Sequence, residues 1–448
     1  MIASVGRMMR KGGGGLSWPA GMKEHIKAWY DPKKQGMTNF DVIESYVTDF
    51  TTWLVADKNY VGLTIRSSSF SISFNKVSNH VIMWKPNYLF KEEGQVKLQV
   101  SGITNNISII IKHGTQEFPI VNGVNTFSFT QEENKSLGFV CKNVFQDTNI
   151  TITQLPTSIL KDLSGNGNHA YLYGGKGKLN SGMGVYQQDF SNVRGVTTVS
   201  ANGFELFREG TGGTYLARIS IGYWNNKECK LLFETNNTSN LYYIRYRKAN
   251  NDIVTSVRLH NGENIIPAQD DLTDVSEVIF EGALRDNEYI RVIEIPDYPD
   301  QLCYDGKMYA VCYGFPILTD YTVMAERTWF ENKNIFLAKG NITTEAKYAF
   351  IFERFKPDGV MAVQSFGAWN DVVSTTDSCI SYLTKNKYNG IDIRSGIGAD
   401  DDMLSIGGAL NKGNIELTSV CCHGAIIIAD RSFTEEEINW LKDNLFRK

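Results

Sequence analysis

The chain has 448 residues, 42% apolar, 12% aromatic and 21% charged, which excludes a disordered tail or collagen-like shaft and, at ~150 residues per domain, predicts about three domains. Its 45 Lys and Arg against 49 Asp and Glu leave a net charge of −4 with no long basic run, so neither nucleic acid nor a membrane is an expected partner. The seven cysteines, Cys141, Cys229, Cys303, Cys312, Cys379, Cys421 and Cys422, are scattered without CxxC spacing and read as reduced, mostly buried thiols of a protein folded in a cytosol.

Residues 1–20 are unlike the rest. Arg7, Met8, Met9, Arg10 and Lys11 precede four glycines at 12–15, followed by Leu16, Ser17, Trp18 and Pro19. Four glycines hold no single backbone conformation, so a flexible arm with an apolar, basic tip is expected, either a disordered terminus or a docking peptide that orders on a partner. This stretch lacks the apolar run of a secretory signal, and no segment reaches the ~18 apolar residues of a membrane span. Export by an ordinary signal peptide is therefore not expected.

From 47 to 155 the pattern has period two. Phe70, Ile72 and Phe74 alternate with Ser and Asn; Val96, Leu98 and Val100 with Lys, Gln and Ser; Ile107, Ile109 and Ile111 continue, as do Phe127 with Phe129 and Ile150 with Ile152. One buried face per strand over about 110 residues predicts an antiparallel β-sandwich. A similar stretch, 203–295, predicts a second. Its exit, YIRVIEIP towards Asp305 and Gly306, echoes NITITQLP leading into Asp162. The last 145 or so residues are strand-rich again and close in one helix. There Thr434 and Glu437 form a capping box, Phe433 and Ile438 stand at the staple positions, and Ile438, Leu441 and Leu445 share a face. Lys442, Arg447 and Lys448 suit its C-terminus.

Asp162-Leu-Ser-Gly-Asn-Gly-Asn-His-Ala170 resembles the signature that opens concanavalin A-like, laminin-G-like (LamG) sandwiches of bacterial and phage surface proteins. Ala425-Ile-Ile-Ile-Ala-Asp-Arg-Ser-Phe-Thr-Glu-Glu-Glu-Ile438 resembles the closing strand and helix of that family. Between them, 315–323 resembles its first core strand and 365–370 a later one, while 25–32 (HIKAWYDP) resembles the strand before the signature. The resemblance implies an all-β, multidomain chain: a split concanavalin A-like jelly roll interrupted by two smaller sandwiches. Its parts are an attachment arm (1–20), lectin-like pieces at 21–46, 158–190 and 301–448, and inserted sandwiches at 47–157 and 191–300. The arm, WYDPKKQGMTNFDVIESY, DLSGNGN and the TEEEI helix, in that order, resemble virion proteins of tailed phages of gut Bacteroides, including crAss-like phages.

Concanavalin-like sandwiches include glycoside hydrolases, which commonly carry two carboxylates on one strand as ExDxxE, ~5 Å apart when retaining. The chain lacks that motif. Glu294 and Asp297 come nearest, with Pro296 between them, and Glu277 and Glu281 share a face only if one strand holds both. The six histidines show no HExxH or HxH spacing, and no GxSxG or Cys/His pairing marks a nucleophile. No catalytic residue and no cofactor is therefore predicted. Asn and Gly in DLSGNGN are what tight turns demand. Asp400 and Asp402 are candidates for a structural calcium, against the plainer reading of a solvated loop.

Sugar binding calls for aromatic rings beside polar groups. Alternation in 241–248 puts Tyr243, Arg245 and Arg247 on one face, either a ligand surface or a solvated one. Trp84, Trp224 and Trp369 each neighbour loop-type polar residues, with core burial as the competing fate. The expectation is a non-enzymatic virion protein on the particle surface: a head fibre, capsid decoration or tail-fibre component assembled in the host cytoplasm. Arg7, Met8, Met9, Arg10, Leu16 and Trp18 would attach it to capsid or tail proteins, and host polysaccharide would be its outward partner. The resemblance also implies a homo-oligomer, a trimer. The competing expectation is a polysaccharide-degrading enzyme of the same fold.

Overall fold

The computed structural model describes residues 17–39, 42–55, 61–74, 80–90, 94–104, 107–143, 149–174, 178–184, 188, 190, 193, 196–200, 202–210, 215–221, 224, 227–269, 273–331, 334–342, 346–356, 359–372, 378–398, 400–411 and 414–446. Arg7, Met8, Met9, Arg10 and Leu16 lie outside them.

Alternation in sequence becomes alternation in burial. Ser69–Phe74 turns Phe70 and Ile72 inward, and Asn149–Leu155 beside it turns Ile150 and Ile152 the same way. They belong to a five-stranded antiparallel sheet ordered Gly123–Ser128, Gln95–Ser101, Asn149–Leu155, Ser69–Phe74, Val61–Ile65. A second five-stranded sheet, Leu54–Val55, His80–Lys85, Leu137–Asn143, Ser108–His113, Gln116–Ile120, supplies the other half of a core containing Met83, Ile109, Ile111 and Phe139. Between 198 and 295 a five-stranded and a four-stranded sheet enclose a separate core around Phe204, Leu231, Phe233, Ile244, Phe280 and Val292. Among the described residues, the strands of each of these two stretches pair only within their own stretch.

The remaining strands come from three separated parts of the chain and share two larger sheets, of nine and ten strands. The nine-stranded sheet centres on Val420–Ala429, all ten of whose residues are buried. This strand pairs with Thr322–Glu331 on one side and, on the other, with Leu302–Asp305 and then Ile26–Tyr30 along its length. A run buried on both faces is nearly all hydrophobic, as VCCHGAIIIA is apart from His423. The ten-stranded sheet includes Ala170–Tyr173, Tyr309–Tyr313, Met403–Ile406, Ile335–Ile342 and Ala346–Phe355. Tyr30, Leu172, Tyr304, Phe336, Phe350 and Ile428 are among the side chains packed between the two sheets. The chain is thus an all-β, multidomain assembly of sandwiches closed by one short helix.

Two strand expectations shift. Residues 315–321 are irregular, and the strand is Thr322–Glu331. The stretch 365–370 straddles a hairpin between Met361–Ser365 and Ala368–Asp371, because Phe366 and Gly367 both take positive φ, 42° and 86°.

The helix is Glu435–Leu441, extended by a π turn at Lys442–Phe446. Thr434 Oγ1 accepts from the Glu437 amide at 3.3 Å, Glu437 Oε2 accepts from the Thr434 amide at 2.9 Å, and Arg431 grips the same carboxylate with both guanidinium nitrogens. Phe433, Ile438, Leu441 and Leu445 are buried against Met324 and Ile427. Arg447 and Lys448 lie outside the described residues.

DLSGNGN is a clamp. Asp162 Oδ1 accepts from the Trp29 and Ser164 amides, both at 2.9 Å, and Oδ2 from the Asn168 amide at 3.1 Å. Asn166 and Asn168 donate at 2.7 Å to the carbonyls of Ile26 and Lys27, while Gly165 and Gly167 take φ of 94° and 78°. The loop therefore fastens Ile26–Tyr30, more than 130 residues away in sequence, to the sandwich.

One polar cluster sits between the large sheets. Glu353, at φ 62° in a bulged stretch of Ala346–Phe355, accepts from Arg327, which also lies at a bulge, and from Ser381 at 2.6 Å, Tyr388 at 2.8 Å and Trp329 at 3.3 Å. Both bulges turn a charged residue inward. Neither charged side chain is exposed, so each depends on the other for solvation.

Candidate ligand-binding cleft

The polar positions of the first small sandwich build one wall of a cleft. Register sets Thr64 opposite Ser71, Ser71 opposite Thr151 and Thr151 opposite Ser101, so four hydroxyls cross four strands in a row. Ser69 opposite Thr153 begins a parallel row. Ser71 Oγ and Thr151 Oγ1 are 3.1 Å apart.

The outer face of the ten-stranded sheet forms the other wall. Alternation sends Leu172, Ala310, Cys312 and Leu404 into the core and leaves Tyr173, Tyr309, Val311, Tyr313 and Met403 outside. Tyr173 and Tyr309 are cross-strand partners whose rings stack at 5.0 Å and 12°. The Tyr173 hydroxyl donates to the Gln154 carbonyl at 3.1 Å and lies 2.9 Å from the Tyr313 hydroxyl. Burial pushes the Tyr309 phenol up to about 12 and raises Tyr173 and Tyr313 as well, so all three remain hydroxyls at neutral pH.

The connectors at the cleft's base are cross-braced. The Thr48 amide donates to Gln154 Oε1 at 2.7 Å and the Tyr46 amide to Thr157 Oγ1 at 2.9 Å. Ser45 and Ser158 add hydrogen bonds to the carbonyls of Leu172 and Glu44. The space between the walls is about 430 Å³, within the range of small-molecule sites. It continues through Arg66, Ser68, Ser69, Tyr309 and Ile415 into a smaller chamber of about 270 Å³ that adds Lys307 and Thr418. Among the described residues, neither lining contains Asp, Glu, His or Cys. Sequence reading missed this cleft. Its only local signal was that the polar alternates in 69–73 and 151–153 are all hydroxyls.

The residues singled out from sequence lie elsewhere and apart from one another. Trp84 sits on the outer face of the first small sandwich, where it lines an open groove of about 380 Å³ with Val81, Val140, Lys112 and Lys135. Its cross-strand neighbour is Gly138, where a Cβ would stand 3.1 Å from that of Trp84. Trp224 packs against the second small core, edge-on to Phe190 at 6.5 Å and Tyr246 at 6.4 Å, which favours the core reading over a sugar platform. Trp369 is 36% exposed on the edge hairpin, with the Arg354 guanidinium 5.4 Å from its ring.

Tyr243, Arg245 and Arg247 do share an outer face, and Glu277 and Glu281 do share one strand. The register then sets Tyr243 opposite Glu281 and Arg247 opposite Glu277. Arg245 is 3.2 Å from Glu281 and 4.8 Å from the Tyr243 ring. The basic strip and the acidic pair thus balance each other. Glu294 is next to last in the strand Tyr289–Ile295, which stops before Pro296; it is 3% exposed and accepts from the Gln188 amide at 2.8 Å. Burial, then the nearby Asp297 charge, pushes its carboxyl up to about 8. Neither Glu294 nor Asp297 lines the cleft.

Two further expectations need correction. Asp400 is not free for calcium: Lys339 places its ammonium 3.0 Å from Asp400 Oδ1, both side chains at most 1% exposed, and the Leu318 amide donates to Oδ2 at 2.7 Å. A cation already occupies the position. Asp402 is exposed, and it is the Asp402 carbonyl that accepts from the Phe315 amide at 2.7 Å. Among the described residues no group of three or more His, Cys, Asp or Glu could hold a metal. Trp18 is half-buried on its own chain, which leaves only part of it for a partner: its ring lies 4.8 Å from Trp440 and 6.3 Å from Trp29, against the closing helix. An apolar ring beside two others on its own chain gains burial without a second molecule.

All seven cysteines are free, six of them buried. No described helix is long and apolar enough to cross a membrane. No protein-family model and no curated protein matches the chain. A solved structure of Trypanosoma rangeli sialidase in complex with the inhibitor DANA is similar at 9% identity, over 90% of this chain and 93% of that one, with a TM-score of 0.22. Similarity at that level carries no argument about this chain.

Proposed function

We propose that this chain is a non-enzymatic, glycan-binding component of a tailed-phage particle surface, rooted by its N-terminal arm and taking host polysaccharide into the cleft. One observation carries the glycan reading: a stacked tyrosine wall faces rows of neutral hydroxyls across about 430 Å³. Sugar rings offer apolar faces to aromatic rings and hydroxyls to hydroxyl partners, so the two walls complement the two chemistries of one ligand. Glycoside hydrolysis commonly uses two carboxylates flanking the bond, and the described residues of the cleft lining include none, which favours binding without cleavage. The particle assignment rests on the resemblance of the arm and of the order of motifs. Trp18, held by Trp29 and Trp440, then serves as the root from which residues 1–16 reach capsid or tail proteins.

The test uses the full chain in affinity electrophoresis through capsular polysaccharide from candidate host strains. Retardation that Tyr309→Ala weakens at least tenfold is the expected result. Equal retardation of the variant, or sugar release by the native chain, would overturn the reading. Immunodetection of the chain in purified particles tests the particle assignment, and absence from them would end it.

A further inference from the structure

The two chambers of the cleft differ in charge. The larger one is aromatic and neutral apart from Arg66, which stands where it opens into the smaller one. The smaller one brings Arg66 together with Lys307, from the turn after Leu302–Asp305, and with Ser67, Ser68, Ser69 and Thr418. Arg66 opens the hairpin turn of the inserted sandwich, where its amide donates to the Ser69 carbonyl at 2.8 Å. Both long side chains are exposed, and among the described residues neither has a carboxylate partner. Eight other surface cations are paired. Lys33, Lys112, Lys142, Arg208, Arg245, Lys248, Arg291 and Lys356 each lie within 4 Å of an acid. Two unpaired cations from different domains converge on a chamber lined otherwise by five hydroxyl residues, Gly306 and Ile415, in a chain whose net charge is −4.

We propose that the cleft selects an acidic polysaccharide, with the anionic substituent of one sugar held between Arg66 and Lys307 while the adjoining ring lies along Tyr309 in the larger chamber. The proposal rests on the glycan reading above and names its ligand class. Tyr309 lines both chambers, so one ligand crossing it meets the tyrosine wall on one side and the cations on the other. A planar guanidinium can take a carboxylate or sulfate through two parallel hydrogen bonds, and an ammonium adds a second charge without fixing orientation. The hydroxyls of Ser67 and Ser68 can donate to the remaining oxygens. The Thr418 hydroxyl donates to the Gly306 carbonyl, which leaves its lone pairs free for donors on a ligand. Carboxylate and sulfate share this chemistry, and the experiment separates them.

Binding of the full chain to three immobilised polymers tests the proposal: hyaluronate for carboxylate, dextran sulfate for sulfate, and dextran as the neutral reference. The native chain, Arg66→Gln with Lys307→Gln, and Tyr309→Ala are compared by surface plasmon resonance at low and at physiological salt. The expected result is at least tenfold tighter binding of one acidic polymer than of dextran, a preference that the double Gln variant loses without weaker dextran binding. Raised salt should shrink the same preference several-fold, because both cations are exposed. Equal affinity for acidic and neutral polymers, or an acidic preference unchanged in the double variant, would overturn the proposal and leave the glycan reading standing if Tyr309→Ala still weakens dextran. Indifference of all three polymers to Tyr309→Ala would overturn the glycan reading itself. Circular dichroism of each variant checks that a loss is not loss of fold.

Discussion

Lys339 and Asp400 leave water together, and each is the other's solvent. Burial lowers the affinity of Lys339 for its proton and raises that of Asp400, both shifts away from charge and both opposed by the partner. Asp400→Asn strands the ammonium, so a loss of about 3–5 kcal/mol is expected in urea denaturation. Because Lys339 already neutralises the site, calcium and excess EDTA should leave the melting temperature of the native chain unchanged. Glu294 gives a second residue-scale expectation. Its folded carboxyl titrates at about 8 where an unfolded one titrates at ~4.3, so the native state keeps a proton that the unfolded chain has released. Stability contributed by that proton is complete below ~4.3 and falls as pH rises towards 8. Melting between pH 5 and 8 should show this decline, and Glu294→Gln should flatten it while keeping an acceptor for the Gln188 amide. A slope unchanged by the substitution would assign the pH dependence elsewhere. Nothing in the residue order near Asp400 announces Lys339, 61 positions away.

At the scale of elements, the capping box and staple of the closing helix were legible because both are local rules, each closed within a few residues. Thr434→Ala should cost about 1 kcal/mol, measured as a shift in denaturation midpoint. The DLSGNGN turn was legible as a turn but not as a clamp, since its partners are the backbone of Ile26–Tyr30. Asp162→Ala leaves the Trp29, Ser164 and Asn168 amides without their acceptor, each worth about 0.5–1.5 kcal/mol net. Detachment of that strand should appear first as trypsin cleavage at Lys27, well below the temperature of global melting. The strand error at 365–370 has a local cause: the run reads as one strand until positive φ at Phe366 and Gly367 folds it back.

At the scale of the molecule, the described residues form three main cores, and the connectors at 45–48 and 154–158 between the largest and the first small one are braced by hydrogen bonds. The two inserted stretches each enclose a core of their own, while the largest is assembled from residues as distant as Ala28 and Ile428. Calorimetry should therefore show more than one transition. Phe139→Ala, in the first small core, should lower one transition by an amount corresponding to about 3–5 kcal/mol and leave the others in place. A single transition displaced as a whole would show that the sandwiches unfold as one unit.

The period-two runs and the capped tail by themselves determined an all-β chain of several sandwiches with one closing helix, because strand alternation and helix caps are written in neighbouring residues. The same alternation marked which side of 69–73 and 151–153 is polar. What that polar side faces was decided only in three dimensions. Tyr173 and Tyr309 meet through a cross-strand register between segments 136 residues apart, and the wall of serines and threonines stands opposite them because the connectors at 45–48 and 154–158 are braced beside Tyr173. The pairing of Arg245 with Glu281, and the lack of such a pairing for Arg66 and Lys307, were settled the same way. Charge and aromaticity are properties of a residue, but whether they are spent inside the chain or left for a ligand depends on which strands lie side by side.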